Sequence, residues 1–425
     1  MHVLLRLGAA AAAALAALAS HRRSAALAKQ EPYDVVVVGG GVMGVWSAIA
    51  AARQNKSVCL VERHAAGHAQ GSSHGDGRIY RFAYADEIYV DMMYLALAYW
   101  GELNANKTVL AHTGGVSLYS GAGGNYDSHG GIEALEAMYA KRGLAHERLS
   151  RRQLRARFPQ FAAPKNTTAL YSPDFGVLFA DAAMENAWAL ARRLGVATRE
   201  GADVVRVRRT EARVTVTLAG GERLTARAAI IAPGAWLTVV AKRWFGLEVP
   251  TAVTRETVSY FKPRGSKAAY GYKRMPVFIS DAANGLGALG YYGIPIVSMP
   301  GVKVAAHHAG TVLDAKALRT HDAAGDPAIV AANERFVARF FPGLEPAPFR
   351  SESCLYTTTP DTHYVLDRVP GRGAPVVLAG GGSGHAFKMG PAIGDAAAAL
   401  ALGAAPPFFL ETFRLDRPAL RGRAP

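Results

Sequence analysis

The sequence predicts a mixed α/β chain, with a Rossmann-type dinucleotide-binding domain joined to a strand-rich second part. Three observations carry this. Tyr33–Val38 is a largely β-branched run that enters Gly39-Gly40-Gly41-Val42-Met43-Gly44. A second apolar strand, Ser57–Val61, ends at Glu62, eighteen residues beyond Gly44. Further strand-like runs then recur between Val204 and Ala309, and an apolar run at Val376–Ala379 enters a second glycine-rich turn.

The spacing G-x-G-x-x-G has a physical reading at each position. Gly39 permits the tight turn, Gly41 lets the backbone approach a pyrophosphate, and Gly44 lets helix and strand pack closely. The helix that follows, expected over Val45–Gln54, turns its free N–H groups and dipole toward the phosphates. A carboxylate at Glu62 is placed to accept hydrogen bonds from ribose hydroxyls. Beyond it, Gly67–Arg81 is polar, glycine-rich and too long for a plain connector, which marks it as functional. Helices are expected over Ile88–Leu103, Ile132–Arg142, Gln153–Phe158, Asp181–Leu194, Asp326–Phe341 and Ala392–Leu402. Strands are expected near Val116–Tyr119 and Thr168–Tyr171. Val204–Val207, Arg213–Leu218 and Arg223–Ile231 read as a small antiparallel meander. A strand-rich region spans Val249–Ala309, with Asn284-Gly285 as a turn.

The chain has 425 residues, half of them hydrophobic, and a formal net charge of +15. That charge is dispersed. Its densest group, Arg148, Arg151, Arg152, Arg155 and Arg157, has helical spacing and no interleaved aromatics, so it reads as a solvated helix face rather than a nucleic-acid surface. The first thirty residues contain no acid and carry Arg6, Arg22, Arg23 and Lys29. Their apolar run, Leu7–Ala19, is too short to span a bilayer and fits either a secretory signal or an organellar transit peptide, mitochondrial or plastid. The C-terminal Arg423-Ala424-Pro425 is not a peroxisomal address. Sequons stand at Asn55, Asn106 and Asn166. Of the two cysteines, Cys59 falls in the second strand and reads as core. Cys354, in Ser-Glu-Ser-Cys-Leu-Tyr-Thr-Thr-Thr-Pro-Asp, is on the residues alone either a buried free thiol or a covalent tether for a flavin.

Four separated segments decide between those readings by resemblance: the N-terminal turn; Gly71-Ser72-Ser73-His74-Gly75-Asp76-Gly77-Arg78-Ile79-Tyr80-Arg81; Ser353-Cys354-Leu355-Tyr356-Thr357 with Thr359-Pro360-Asp361; and Gly381-Gly382-Ser383-Gly384-His385-Ala386-Phe387-Lys388. In this order they resemble the flavoprotein amine oxidases of the monomeric sarcosine oxidase, N-methyl amino acid oxidase and L-pipecolate oxidase group. Phe413–Leu420 also resembles the family's end, so the likeness covers about residues 33–420. It implies a discontinuous FAD domain (31–112, 175–250 and 350–425) interleaved with an antiparallel-sheet substrate domain (113–174 and 251–349), after a targeting segment (1–30). It further implies a monomer, with FAD joined through its 8α carbon to Cys354.

The resemblance also implies the roles of single residues. Arg81 and Lys388 match the pair that holds a substrate carboxylate, and Tyr292 and Tyr356 match two pocket tyrosines. Arg78 matches the arginine against the flavin ring, Lys303 the lysine that activates oxygen, and His307 the active-site histidine. On an extended strand Lys303 and His307 share a face, because their separation is even. Cofactor contacts are implied at Gly39, Gly41, Val42, Met43, Gly44, Glu62, Arg63, Ser72, Ser73, Arg78, Val205, Gly234, Trp236, Gly382, Ser383, Gly384, His385 and Lys388. No metal is implied. Two departures stand out: Ser73 replaces a histidine often seen in the His-Gly-Asp segment, and Ile294–Pro300 is more aliphatic than the family pattern. The expected activity is FAD-dependent oxidation of a secondary α-amino acid by O₂ to an imine and H₂O₂. A dehydrogenase passing electrons to a carrier, a fructosyl-amino-acid oxidase, and a flavin-bound protein without turnover are the alternatives.

Overall fold

Tyr33–Val38 lies at the centre of an eight-stranded sheet. It runs parallel to Val58–Val61 on one side and to Arg223–Ile231 on the other. Val35, Val36 and Val37 are fully buried, as a strand covered on both faces requires. These details come from a computed structural model, which describes residues 32–105, 108–119, 131–282, 290–314, 316–320 and 324–421. The expected targeting segment, the sequon at Asn106 and the Asn284-Gly285 turn lie outside the described residues.

The glycine turn leads into helix Val42–Arg53, which is apolar nearly all round because it is enclosed. Helix Gly390–Leu402 covers its outer side. A Cβ at Gly394 would sit 2.5 Å from the Trp46 carbonyl carbon, and one at Gly390 2.4 Å from Val42 Cγ2. Small residues here let the two helices approach closely enough to bury Trp46 between them. The expected start at Val45 is three residues late, because the helix begins inside the glycine motif at Val42.

The meander expected from Val204 to Ile231 is not a separate unit. Val204–Arg209, Val214–Leu218 and Arg223–Ile231 are antiparallel to one another, but the third also pairs in parallel with Tyr33–Val38 and Val376–Gly380. The meander therefore extends the main sheet. Arg206 and Arg208 stand exposed on its edge strand, where charge discourages pairing with another chain. Part of the net positive charge is spent this way. The Arg148–Arg157 group is solvated but only partly helical: Arg151–Arg157 form a helix, whereas Arg148 lies on strand Glu147–Ser150. Arg148 Nε donates to Glu136 at 2.8 Å and Arg157 to Glu147 at 2.6 Å.

A nine-stranded sheet forms the second layer. Ala252–Phe261 pairs with Val302–Ala306 on one side and with Arg350–Thr358 on the other, and Val302–Ala306 continues into Tyr291–Ile294. Arg350–Thr358, grouped by sequence with the FAD-binding part, is thus a strand of this second sheet. Its nine residues pair without a break, Glu256 opposite Cys354 and Thr254 opposite Tyr356. A third, three-stranded sheet joins Gly77–Tyr80, Gly176–Phe179 and Leu110–His112. It gives the end of the Gly67–Arg81 stretch a strand that composition did not reveal. No helix among the described residues is long and apolar enough to cross a membrane.

Gly44 is the tightest point of the first layer: a Cβ there would lie 1.8 Å from the Gly39 carbonyl oxygen. Gly44→Ala is expected to cost about 1–3 kcal/mol through overpacking. The measurement is thermal unfolding beside the 450 nm absorbance of the purified protein, and both should fall together.

Candidate active site

One cavity of about 920 Å³ runs from the glycine turn and Glu62 to Tyr292, Lys303 and His307. Its first end is built by the eight-stranded sheet. Gly39 has φ +101°, and a Cβ there would strike the Ala232 carbonyl oxygen at 2.2 Å. A side chain at Gly41 would narrow the gap to Ser73 Oγ, 3.2 Å from the Cβ position. The cavity wall at Gly39–Met43 is therefore backbone, open to a phosphate group.

Glu62 Oε2 accepts from Gly40 N at 2.6 Å and Oε1 from His64 N at 2.9 Å, and His68 Nε2 lies 3.3 Å from Oε1. Burial alone would raise this carboxyl. The hydrogen bonds from His68, His64 and Gly40 outweigh that and hold it below the ordinary carboxylate value. Arg63 stacks over Trp236 at 5.3 Å and donates to Asp203 at 2.9 Å, while Val205 and Gly234 complete this end. Ser73 Oγ accepts from Val42 N at 3.0 Å, at the first turn of the helix, and Ser72 Oγ donates to Leu355 O at 2.7 Å. The two serines of the glycine-rich loop thus tie the glycine turn to the cysteine strand. A backbone phosphate cradle, a buried carboxylate for ribose and a cavity that continues from them to the second sheet together fit a flavin dinucleotide.

The nine-stranded sheet supplies the far end. Strand alternation puts Glu352, Cys354 and Tyr356 on one face. Cross-strand register adds Tyr260 opposite Lys303, and Tyr292 opposite Ala305. Tyr292, Lys303, His307, Glu352, Cys354 and Tyr356 all line the cavity. Lys303 and His307 are buried, and His307 stands one residue beyond its strand. Lys303 Nζ donates to Gly77 O at 3.2 Å; burial, then Arg78, pull its ammonium down to about 8. His307 Nδ1 lies 3.2 Å from the Tyr356 hydroxyl, and Tyr292 meets the His307 ring edge-on at 5.8 Å.

Arg78 reaches over this face from strand Gly77–Tyr80. It donates to His74 O at 2.6 Å and Ser72 O at 3.2 Å, with its guanidinium 5.5 Å from the Phe387 ring centre. Burial pushes the Cys354 thiol up, against the opposing pull of Arg78 and Lys303. Both cations favour the thiolate, but burial dominates.

The second glycine turn shapes the remaining corner. Gly381, Ser383 and Gly384 have φ of +62°, +45° and +78°. Gly382, Gly384, His385 and Lys388 line the cavity, whereas Ser383 does not. Ser383 Oγ donates to Gly381 O at 3.1 Å and accepts from Thr359 N at 3.3 Å, so it fixes the turn instead of touching the cavity. Lys388 Nζ donates to the Tyr84 hydroxyl at 2.9 Å and to His385 O at 2.7 Å. Arg81 donates to Ala83 O, and its guanidinium lies 4.6 Å over the Tyr84 ring. Two buried cations therefore converge on one phenol. Sequence reasoning missed Tyr84, though it sits three residues past Arg81, and missed Glu352, though it stands two residues before Cys354 on the same face.

The family model for FAD dependent oxidoreductases, DAO, matches residues 34–400. The chain belongs to the DAO family of FAD-dependent oxidoreductases. This DAO chain is 30% identical over 399 residues to the peroxisomal sarcosine oxidase of Homo sapiens, covering 93% of this chain and 99% of that protein. It is 30% identical over 393 residues to the N-methyl-L-tryptophan oxidase of Salmonella arizonae, covering 91% and 99%. Among solved structures, NikD, an amino acid oxidase of nikkomycin biosynthesis, shares its fold with a TM-score of 0.78 at 22% identity, covering 91% and 98%.

Lys303 carries a charge into a buried site, and this has a cost that depends on pH. Its folded value, about 8, lies below the ordinary 10.5, so the unfolded chain binds the proton more tightly. The penalty is complete below pH 8 and fades as pH rises toward 10.5. Lys303→Met is therefore expected to raise the melting temperature at pH 7, with a gain over wild type that shrinks between pH 8 and 10.5. Thermal melts across that range check the sign.

Proposed function

We propose that this chain is an oxidase of secondary α-amino acids of the sarcosine, N-methyl amino acid or pipecolate kind. The observation that carries the reading is the convergence of Arg81 and Lys388 on Tyr84 at the corner of the cofactor cavity. The two cations are 3% and 5% exposed, too deep to serve as solvated surface charge. A fork and a point charge held there suit one carboxylate in a partly desolvated pocket. The sarcosine oxidase and N-methyl-L-tryptophan oxidase relatives support the same substrate class.

FAD, when bound, would supply the acceptor for one hydride equivalent, two electrons and a proton, from the carbon beside the substrate nitrogen, with O₂ as the final oxidant. The chain's own residues do the rest. Arg81 and Lys388 hold the carboxylate, and Tyr84 keeps the two cations in place between their carbonyl partners. His307 and Tyr356, hydrogen-bonded to each other, line the side where the amine is to be held neutral. Arg78 and Lys303 supply positive charge beside the sheet face, which favours negative charge on the cofactor and on oxygen. Cys354 on that face is the atom we assign to covalent attachment. The imine leaves the site and hydrolyses in water, and the oxygen product is H₂O₂.

Four measurements test this. Anaerobic bleaching of the flavin spectrum, screened over secondary amino acids and matched amines without a carboxylate, should select the acids. Lys388→Met should raise the Kd for such a substrate at least about 30-fold, the scale expected when one partner of a buried charge pair is truncated, and should leave a carboxylate-free amine unaffected. A panel that reduces the flavin regardless of the carboxylate overturns the reading. After acid precipitation, yellow colour should stay with the wild-type pellet and pass to the supernatant for Cys354→Ser. Lys303→Met should slow reoxidation by O₂ far more than reduction by substrate.

A further inference from the structure

The strand that carries Cys354 also brings a carboxylate into the cavity, at Glu352, for which the reaction as described has no use. Glu352 is half-buried and lines the cavity on the same face as Cys354 and Tyr356. Its neighbours fix it from three directions. Tyr260, directly opposite Lys303 in the sheet, donates its hydroxyl to Glu352 Oε1 at 2.8 Å. Arg350 holds Oε2 from the solvent side, with Nη2 at 2.9 Å. Across the cavity the Gly75 backbone of the loop approaches, its Cβ position 4.0 Å from Oε1. We propose that Glu352 is the counter-charge that keeps Lys303 an ammonium inside the cavity, held at its station by the Tyr260 hydroxyl.

The remaining charged and titratable groups around Lys303 do not take that role. Arg78, on strand Gly77–Tyr80, opposes a second positive charge. His74, in the loop before that strand, is kept neutral by burial and by Arg78. Asp76 is the other carboxylate, but it is committed: Oδ1 accepts from Ser298 N at 3.2 Å and Met299 N at 3.1 Å, it is not on the cavity wall, and burial raises its carboxyl. Cys354 carries no charge there, either as a thiol raised by burial or once joined to the flavin, and Tyr260, raised as well, stays a phenol that donates. Glu352 goes the other way. Burial would raise it, but the Tyr260 hydroxyl, Lys303 and Arg350 outweigh that and hold it ionised. Among these groups Glu352 is the anion that faces the cavity.

Glu352 is thus a positioning residue that acts through Lys303, and its effect on the oxygen reaction rests on the oxidase reading above. The test reads the lysine itself. In the FAD-loaded enzyme with ¹³C at the lysine ε-carbons, the Lys303 signal, assigned by its loss in Lys303→Met, gives the titration midpoint. Glu352→Gln, which keeps size and the Tyr260 hydrogen bond, should lower that midpoint by about one pH unit, the scale of one nearby opposite charge. Glu352→Asp, which keeps the charge, should restore most of it, a rescue that a merely structural role would not give. An unchanged midpoint in Glu352→Gln overturns the proposal. So does an equal fall in the Asp variant, should the Gln variant not retain FAD. In parallel, the fall of the O₂ reoxidation rate with rising pH should move down by the same amount in Glu352→Gln. If the midpoint moves and this rate does not, the counter-charge stands and the oxygen role of Lys303 fails.

Discussion

The unbroken antiparallel pairing of Ala252–Phe261 with Arg350–Thr358 is the constraint on which the site depends. Side chains alternate with a period of two, so a slip of one residue would turn Cys354 to the opposite face and take Glu352 and Tyr356 with it. Nine consecutive pairs make such a slip expensive. The same central strand carries Val302–Ala306 on its other edge, so one register fixes the cysteine, the lysine and the histidine together. The glycine turn of the other sheet then needs only to face this surface. The loop serines at 72 and 73 ensure that it does, by bonding Leu355 on one side and Val42 on the other.

The second feature is the depth of positive charge. Arg81, Lys303 and Lys388 are all buried, and Arg78 is mostly so. Burial of a cation is costly unless opposed by negative charge or hydrogen bonds. The partners that hold these groups include the carbonyls of Ala83, His385 and Gly77, which orient a donor without cancelling its charge. The fold therefore maintains a positive interior. That arrangement suits a cavity whose occupants are a diphosphate-linked cofactor and a carboxylate. It also explains why the overall charge of the chain was a poor guide: the charges that matter are few and inside, while many of the rest sit on a sheet edge or pair with surface carboxylates.

Local signals were legible in the sequence where the backbone itself carries the message. The glycine turn, the flanking valine strands and Glu62 could be read because tight turns, central strands and ribose recognition each demand particular residues at fixed spacing. Lys303 and His307 could be placed on one face by parity alone. Pairing across large sequence distance was not legible. Nothing in Arg350–Thr358 states that its partner is Ala252–Phe261, so the segment was grouped with the FAD-binding part without its sheet being foreseen, and Glu352 on it went unnoticed. Short strands such as Gly77–Tyr80 and Leu110–His112 were hidden for the same reason, since they exist only through their partners. Ser383 shows the converse: it sits within a glycine-rich motif, yet its hydroxyl serves the turn and not the cavity.

The seam between the two helices that back the glycine turn has a consequence for how the protein comes into being. Helix Val42–Arg53 is closed off by Gly390 and Gly394, more than three hundred residues later in the chain. On a ribosome this strand and its turn emerge well before the surface that braces them. Until then a nearly all-apolar helix lacks its cover, a condition that favours chaperone capture or misassociation. A braced glycine turn therefore requires the chain to have been made through Leu402, and not through the nucleotide motif alone.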